Sequence, residues 1–228
     1  MKQHAPAADR NKVAILEVLK THLPDDPKAT GVVLEVASGT GQHAAYFSEA
    51  LTHLLWHPTD ITPERLASIS AWAEDCDHDR LLAPRHLDVL TPRWHEAWQS
   101  NAISSVTATD TTLAASTNVD PPPQVVAVVS INMIHIAPWQ AAVGLITGAG
   151  ALLPPGGVLM LYGPFRRDGE HTAPSNAAFD ASLRARDAAW GVRDLEEVTR
   201  LGDRHNLSVQ RVIDMPANNL SVIFEKAV

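Results

Sequence analysis

The sequence predicts an α/β fold built on one mostly parallel sheet, and three features of the chain support this. Short apolar runs alternate with helical patterns, a glycine turn directly follows the first run, and a very short connection joins the last two runs. Alternating strands and helices are typical of a parallel sheet with helices on both faces. The short final connection favours an antiparallel hairpin. We therefore expect seven strands, of which the last two form this hairpin.

The first apolar run leads into a turn made for a ligand. Residues 32–36 are followed by Gly39 and Gly41, and a helical pattern begins near Ala44. Glycine permits positive φ and lets the backbone approach a ligand closely, while the new helix presents unpaired N–H groups. The turn, which includes Ala37 and Ser38, therefore predicts a nucleotide-type site.

Residues 39–44 also match the dinucleotide fingerprint, with Asp60 at about the expected distance of ~20 residues. Glu35 argues against this reading, because its charge just before the turn repels a pyrophosphate. Asp60 and Asp88 each end a further predicted strand. A carboxylate at Asp60 suits two ribose hydroxyls, and one at Asp88 suits an adenine amino group. Three acids at successive strand ends favour a cationic, phosphate-free nucleoside such as S-adenosylmethionine.

The remaining pattern supplies the other elements of the fold. Apolar residues recur at helical spacing, and Thr62-Pro63 and Asp194 stand at helix starts. The predicted helices are 11–23, 44–54, from 62, 91–98, 137–153, 175–186 and 194–205. The predicted strands are 32–36, 54–60, 86–89, 125–136, 158–162, 207–213 and 220–225.

Composition limits the classes of protein that this chain can belong to. Its 228 residues, 45% of them apolar, suit a single domain over 1–228, in which the Ser/Thr/Ala/Pro-rich residues 100–124 form a flexible insertion. A net charge of −8 with scattered basic residues argues against a nucleic-acid partner. One cysteine, no signal-peptide pattern, no spanning segment and no metal-ligand spacing predict a soluble, cytoplasmic protein without a metal or a membrane partner.

The glycine turn and the acids resemble those of class I S-adenosylmethionine-dependent methyltransferases, which share a Rossmann-like fold. The wider chain resembles the methyltransferase-like protein 26 family. The matching blocks are Arg10-Asn11-Lys12, residues 33–43, Ile131-Asn132-Met133-Ile134-His135-Ile136, and residues 162–165, 171–176 and 215–220. Ala37 departs from the first glycine of many class I enzymes. The resemblance implies a methyltransferase that uses S-adenosylmethionine, with a small molecule or a protein side chain as the acceptor.

Candidate site residues follow from these patterns. The predicted cofactor contacts are Arg10, Glu35, Ala37, Ser38, Gly39, Gly41, His43, Asp60, Asp88 and Asn132. On the catalytic side, Asn132 orients the acceptor, His135 takes its proton and Tyr162 walls the pocket. Tyr162 is also a candidate substrate contact, together with His171, Asn176 and Asn219.

Two alternatives remain open at this point. A domain of this kind can bind S-adenosylmethionine or its product without catalysis, as an interaction or sensing module. A nicotinamide-dependent oxidoreductase is less favoured, because of Glu35 and Asp88 and because such domains tend to keep all strands parallel. His135 and Tyr162 can also have purely structural roles, His135 as a hydrogen-bonded histidine and Tyr162 as a core tyrosine.

Overall fold

The computed structural model describes residues 1–24, 31–99 and 124–227, and within them the chain alternates between strands and helices. The strands are β1 (Gly31–Glu35), β2 (Leu54–Asp60), β3 (Arg85–His86), β4 (Val125–Ile131), β5 (Val158–Gly163), β6 (Phe165–Arg167), β7 (Glu170–His171), β8 (Arg193–Asp194), β9 (Leu207–Met215) and β10 (Asn219–Lys226). The helices are α1 (Pro6–His22), α2 (Gln42–Ala50), α3 (Pro63–Ala73), α4 (94–99), α5 (Trp139–Leu152), α6 (Pro174–Arg186) and α7 (Leu195–Asp203).

Seven of the strands form one sheet in the order β3-β2-β1-β4-β5-β10-β9. The first five run parallel, whereas β10 is antiparallel to both β5 and β9. The chain order reverses direction between β1 and β4, and ligands of open α/β sheets bind at such a switch point. The predicted fold class is confirmed, including the C-terminal antiparallel hairpin.

Alternate residues of the central strands pack into two hydrophobic layers. Leu34 and Val128 face one layer, which contains helices α4, α5 and α7, while Val33 and Val129 face the other, which contains α1 and α2. All five residues of β1 are buried, because helices cover both faces of the sheet. This double burial explains why the strand reads as a continuous apolar run.

Two predicted helix caps are confirmed by hydrogen bonds. The Thr62 hydroxyl accepts a bond from the Arg65 N–H at 3.3 Å, and the Asp194 carboxylate accepts one from the Glu197 N–H at 3.3 Å. Each cap satisfies one of the N–H groups that a helix start leaves without a partner. The cap at Thr62 also fixes the chain just after Asp60, at the mouth of the site.

Several predicted boundaries were wrong. The fourth strand ends at Ile131 rather than 136, because Asn132 adopts a left-handed φ of 64° and residues Met133–His135 form a 3-10 turn. β3 ends at His86, so Asp88 lies two residues beyond its strand. Helix α1 begins at Pro6, earlier than the predicted start at 11.

The segment after β5 contains further strands that the sequence pattern does not predict. Strands β6 and β7 pair antiparallel, and β8 joins β6 to make a second, three-stranded sheet in the order β7-β6-β8. The insertion predicted at 100–124 lies outside the described residues except for Gln124. Among the helices described, none is both long and apolar enough to cross a bilayer. Within the same ranges, no cluster of three or more metal-ligating side chains occurs.

Candidate functional site

A cavity of about 580 Å³ opens where the carboxyl ends of β1, β2 and β4 meet, together with the segment that follows β3. Three groups of residues line it: the strand ends and their turns, the start of α1 with the chain before it, and the loop after α6. The polar or charged side chains in the lining are Asn11, Glu35, Ser38, Thr40, His43, Asp60, Thr62, Arg65, Asp88 and Asn132. The cavity therefore lies at the topological switch point, where the fold predicts a ligand.

The glycine turn forms the floor of this cavity in the predicted conformation. Gly39 and Gly41 have φ values of 61° and 91°, which side chains rarely adopt. A Cβ on Gly41 would also lie 2.9 Å from the Ile69 Cα, so α3 packs against the turn too closely for any other residue. Gly41 caps α2 behind the turn and does not itself line the cavity, whereas Ala37, Ser38 and Gly39 do.

Asp60 and Asp88 both face the cavity, as the sequence predicts, but their carboxylates differ in surroundings. Asp60 is 7% exposed and accepts hydrogen bonds from the N–H groups of Gly39 at 3.0 Å and Ile61 at 2.8 Å. Asp88 is half-buried and accepts one from the Leu90 N–H at 2.8 Å. These bonds hold each carboxylate in place, and further lone pairs stay available to hydroxyl or amino donors.

Glu35 is fully buried beneath the turn, and its charge is weaker than the sequence suggests. The Trp56 indole N–H donates to its carboxylate at 2.9 Å. Burial raises the pKa of Glu35 to about 7, despite this hydrogen bond. Near neutral pH the side chain is therefore only partly ionised, and the expectation of a full negative charge at Glu35 was wrong. Its attraction to a cation increases as the pH rises.

The N-terminal helix contributes Asn11 to the cavity instead of the predicted Arg10. Asn11 is buried and lines the cavity, whereas Arg10 is exposed and points elsewhere, because neighbouring residues of a helix face directions about 100° apart. The Asn11 Oδ1 lies 2.8 Å from the His43 Nε2. Burial lowers the pKa of His43 to about 4, so this lining residue is neutral at physiological pH.

Asn132 lines the cavity at the end of β4, but His135 does not. His135 is fully buried against the Phe165 ring, and its Nδ1 accepts a hydrogen bond from the Arg193 N–H at 3.3 Å. Burial, with the nearby Arg193 charge, lowers the pKa of His135 to about 3. The structure therefore does not bring His135 into the cavity lining, where the sequence predicts it to take a proton.

The four predicted substrate contacts also lie outside the cavity lining. Tyr162 is a core residue that is 2% exposed. Burial raises its pKa, while hydrogen bonds to Asn11 and Asn219 oppose the rise.

The other three residues bond to nearby protein groups. His171 lies 3.6 Å from a carboxylate oxygen of Asp180. The Asn176 amide donates to the backbone oxygen of Asn218 at 2.9 Å, which ties α6 to the turn of the hairpin. Asn219 donates to the oxygen of Pro216 at 3.0 Å within that turn. Their observed contacts are structural.

Arg65 and Trp190 are among the lining residues that sequence reasoning missed. Arg65 lies on α3 directly after the Thr62 cap, and it donates to the Gln3 Oε1 at 2.6 Å. The cap and the helix start gave a usable signal for Arg65, since the first turn of α3 follows Asp60. No local pattern marks Trp190, which lies in an irregular loop and reaches the cavity through tertiary contacts alone.

A family profile described as "Protein of unknown function (DUF938)" matches residues 2–226. The chain belongs to the DUF938 family. Solved structures share the fold of this DUF938 chain and cover nearly all of it. One is an O-methyltransferase family 2 protein from Planctomyces limnophilus in complex with apigenin, at 21% identity and a TM-score of 0.72, covering 97% of this chain and 58% of that one.

Two other structures give the same result for the DUF938 chain. An O-methyltransferase family protein from Burkholderia thailandensis has 15% identity and a TM-score of 0.70, with 97% of this chain and 57% of that chain covered. Human N-acetylserotonin methyltransferase in complex with SAM has 11% identity and a TM-score of 0.63, with 97% and 58% covered. The DUF938 chain thus has the class I methyltransferase fold and spans a little over half the length of these proteins.

Proposed function

We propose that this protein is an S-adenosylmethionine-dependent methyltransferase acting on a small molecule or a protein side chain, and that its family is related to methyltransferase-like protein 26. One observation carries the proposal: the glycine turn, Asp60 and Asp88 line one continuous cavity at the switch point of the sheet. The O-methyltransferase fold of the compared structures supports it, as does the complex of the human enzyme with SAM.

The lining residues fit the parts of this cofactor. Asp60 accepts from the ribose hydroxyls, and Asp88 accepts from the adenine amino group, since both carboxylates have free lone pairs toward the cavity. The turn at Ser38 and Gly39 lets the methionyl part approach the backbone closely. Glu35, when ionised, stabilises a nearby positive charge.

When bound, S-adenosylmethionine supplies an electrophilic methyl group whose transfer leaves neutral S-adenosylhomocysteine. The chain has to align the acceptor with that methyl group and keep water away, which together provide most of the acceleration for such a displacement. Asn132 orients the acceptor by hydrogen bonding at the end of β4. With His135 held in the core, the acceptor proton passes to bulk solvent as the methylated product leaves the cavity.

Calorimetric titration of the full chain with S-adenosylmethionine, S-adenosylhomocysteine and NAD tests the proposal. We expect both adenosyl compounds to bind and NAD to give no heat. Transfer from labelled S-adenosylmethionine into metabolite and protein extracts then identifies the acceptor class. NAD binding without adenosyl binding would favour an oxidoreductase. Tight adenosyl binding with no transfer to any extract would favour a non-catalytic sensing or interaction module.

A further inference from the structure

The two ends of the cavity differ in charge, and this difference indicates what the acceptor is. We infer that the acceptor is an uncharged small molecule with a flat, mostly apolar body, and that Trp190 is a specificity-determining residue that packs against it. The inference rests on the proposed function, because it assumes that the cofactor fills the end of the cavity nearest β2 and β3.

The order of the strands fixes which end is which. Asp88 follows β3 and Asp60 ends β2, so a nucleoside that uses both carboxylates extends toward the β3 edge. Asn132 lies on the other side of β1, at the end of β4. The acceptor has to approach from that side, since the nucleoside occupies the first. The lining at this end comes from the 132–138 segment, Trp190 and Asn11 of α1.

Every lining residue with an Asp, Glu, Lys or Arg side chain in the part of the chain that the structure describes lies at the cofactor end. These four are Glu35, Asp60, Arg65 and Asp88, and they stand on β1, on β2, at the start of α3 and after β3. The acceptor end has Met133, Ile136 and Trp190 as walls, with the neutral polar groups Asn11 and Asn132. A charged acceptor buried there without a partner would bear the desolvation penalty of an unpaired ion. A neutral acceptor avoids that penalty.

Hydrogen bonds within the protein hold the loop of Trp190 in position. The Gly191 N–H donates to the His135 oxygen at 2.9 Å, and the Arg193 Nε donates to the Ile134 oxygen at 2.8 Å. These bonds fasten the loop that carries Trp190 onto the segment after β4. The Arg186 guanidinium lies 5.0 Å from the centre of the Trp190 ring in a cation–π contact. A rigid aromatic wall of this kind favours a planar ligand, because little ordering is needed on binding.

Arg65, the lining residue with a cationic side chain, is already hydrogen-bonded within the protein. Arg65 bonds to Gln3 and lies on α3, at the cofactor end. The Arg193 guanidinium donates to backbone oxygens near Ile134. The Arg184 Nε donates to the Asp180 carboxylate at 2.9 Å. An anionic acceptor would therefore find no cation among the described lining residues at its end of the cavity. This arrangement of charged side chains favours binding of a neutral aromatic acceptor over a carboxylate of the same shape.

Binding of three naphthalene probes to the full chain saturated with S-adenosylhomocysteine tests the inference. The probes are 2-naphthol, the anion 2-naphthoate and the cation 2-naphthylmethylammonium, measured by ligand-observed NMR and calorimetry. We expect 2-naphthol to bind at least about tenfold more tightly than either charged probe. We expect Trp190→Ala to weaken 2-naphthol binding by about tenfold or more and Trp190→Phe to retain most of it.

Trp139→Phe is the matched control, because it keeps an aromatic ring against Arg193, which helps to fasten the Trp190 loop. Trp139 is also half-buried and also contacts an arginine, with Arg193 5.8 Å from its ring centre, but it does not line the cavity. We expect this variant to leave 2-naphthol affinity unchanged and all variants to bind S-adenosylhomocysteine like the wild type. Equal binding of 2-naphthoate, or no binding of 2-naphthol to the saturated wild type, would overturn the inference while leaving the proposed function intact. If S-adenosylhomocysteine does not bind at all, the proposed function fails and the inference fails with it.

Discussion

The cofactor end and the acceptor end of the cavity are built in opposite ways. At the cofactor end, carboxylates stand at or just after strand ends and are held by neighbouring backbone N–H groups, as Asp60 is by Gly39 and Ile61. At the acceptor end, neutral side chains come from segments far apart in sequence, such as Asn11, Asn132 and Trp190. The first arrangement suits a ligand whose structure does not vary. The second can change its specificity without disturbing the first.

The largest expected effect comes from a variant that alters the cofactor end alone. Asp60→Ala should weaken S-adenosylhomocysteine binding by about 100-fold, because a buried carboxylate that accepts from two hydroxyls is lost. Calorimetry measures this, and thermal unfolding reports any cost of freeing the Gly39 and Ile61 N–H groups. The exposed Asp77→Ala serves as the control and should change neither. An unchanged affinity in Asp60→Ala would place the nucleoside elsewhere.

A pair of glycine variants sharpens the account of the turn. Gly41→Ala should destabilise the fold by about 2 kcal/mol or more, since it combines a left-handed φ with a clash against Ile69. Gly39→Ala has a left-handed φ but no atom within 4 Å of the new Cβ, so we expect only about 1 kcal/mol. Urea unfolding compares the two. Equal losses would show that packing of α3 against the turn is unimportant.

Titration of Glu35 gives a smaller effect with a definite sign. Its pKa of about 7 means that raising the pH ionises the side chain, and only the ionised form attracts a sulfonium. Between about pH 6 and about pH 8, the preference for S-adenosylmethionine over S-adenosylhomocysteine should grow by up to about tenfold. Calorimetry with both compounds measures the ratio. Glu35→Gln should remove the pH dependence, and its persistence in that variant would point to another group.

The smallest expected effect lies where the two ends meet, at helix α1. Asn11→Ala should weaken S-adenosylhomocysteine binding by about fivefold, because it removes a lining amide and the partner of His43. Arg10→Ala should change the affinity by less than about twofold, since a solvated surface arginine contributes little. The reverse order of effects would restore the cofactor contact predicted for Arg10.

The contrast between the two ends also explains what could be predicted from the sequence. The sheet, its hairpin and the turn at Gly39 follow local rules, so the pattern of residues 32–60 was enough to place Glu35 and Asp60. The charge state of Glu35 was not predictable, because it depends on complete burial beside Trp56. Sequence identifies the group, whereas packing sets its pKa.

At the acceptor end the same reasoning failed for physical reasons. His135 was expected to extend from a strand, but the left-handed Asn132 turns the chain and sends the imidazole into the core. The side chains of Asn176 and Asn219 instead donate hydrogen bonds to backbone oxygens of the hairpin turn. Trp190 could not be found at all, since its position depends on a loop fastened to the segment after β4. Such contacts between distant segments leave no periodic signal in the chain.

The bonds within the glycine turn have a kinetic consequence. Ser68 donates to the Thr40 oxygen at 2.8 Å, the Ser38 N–H to the Thr59 oxygen at 2.8 Å and the Gly39 N–H to Asp60 at 3.0 Å, so hydrogen bonds within the protein hold the cradle in shape. A receptor that needs no reorganisation captures its ligand in one bimolecular step. In stopped-flow mixing, the observed rate for S-adenosylhomocysteine should therefore rise linearly with concentration and reach no plateau.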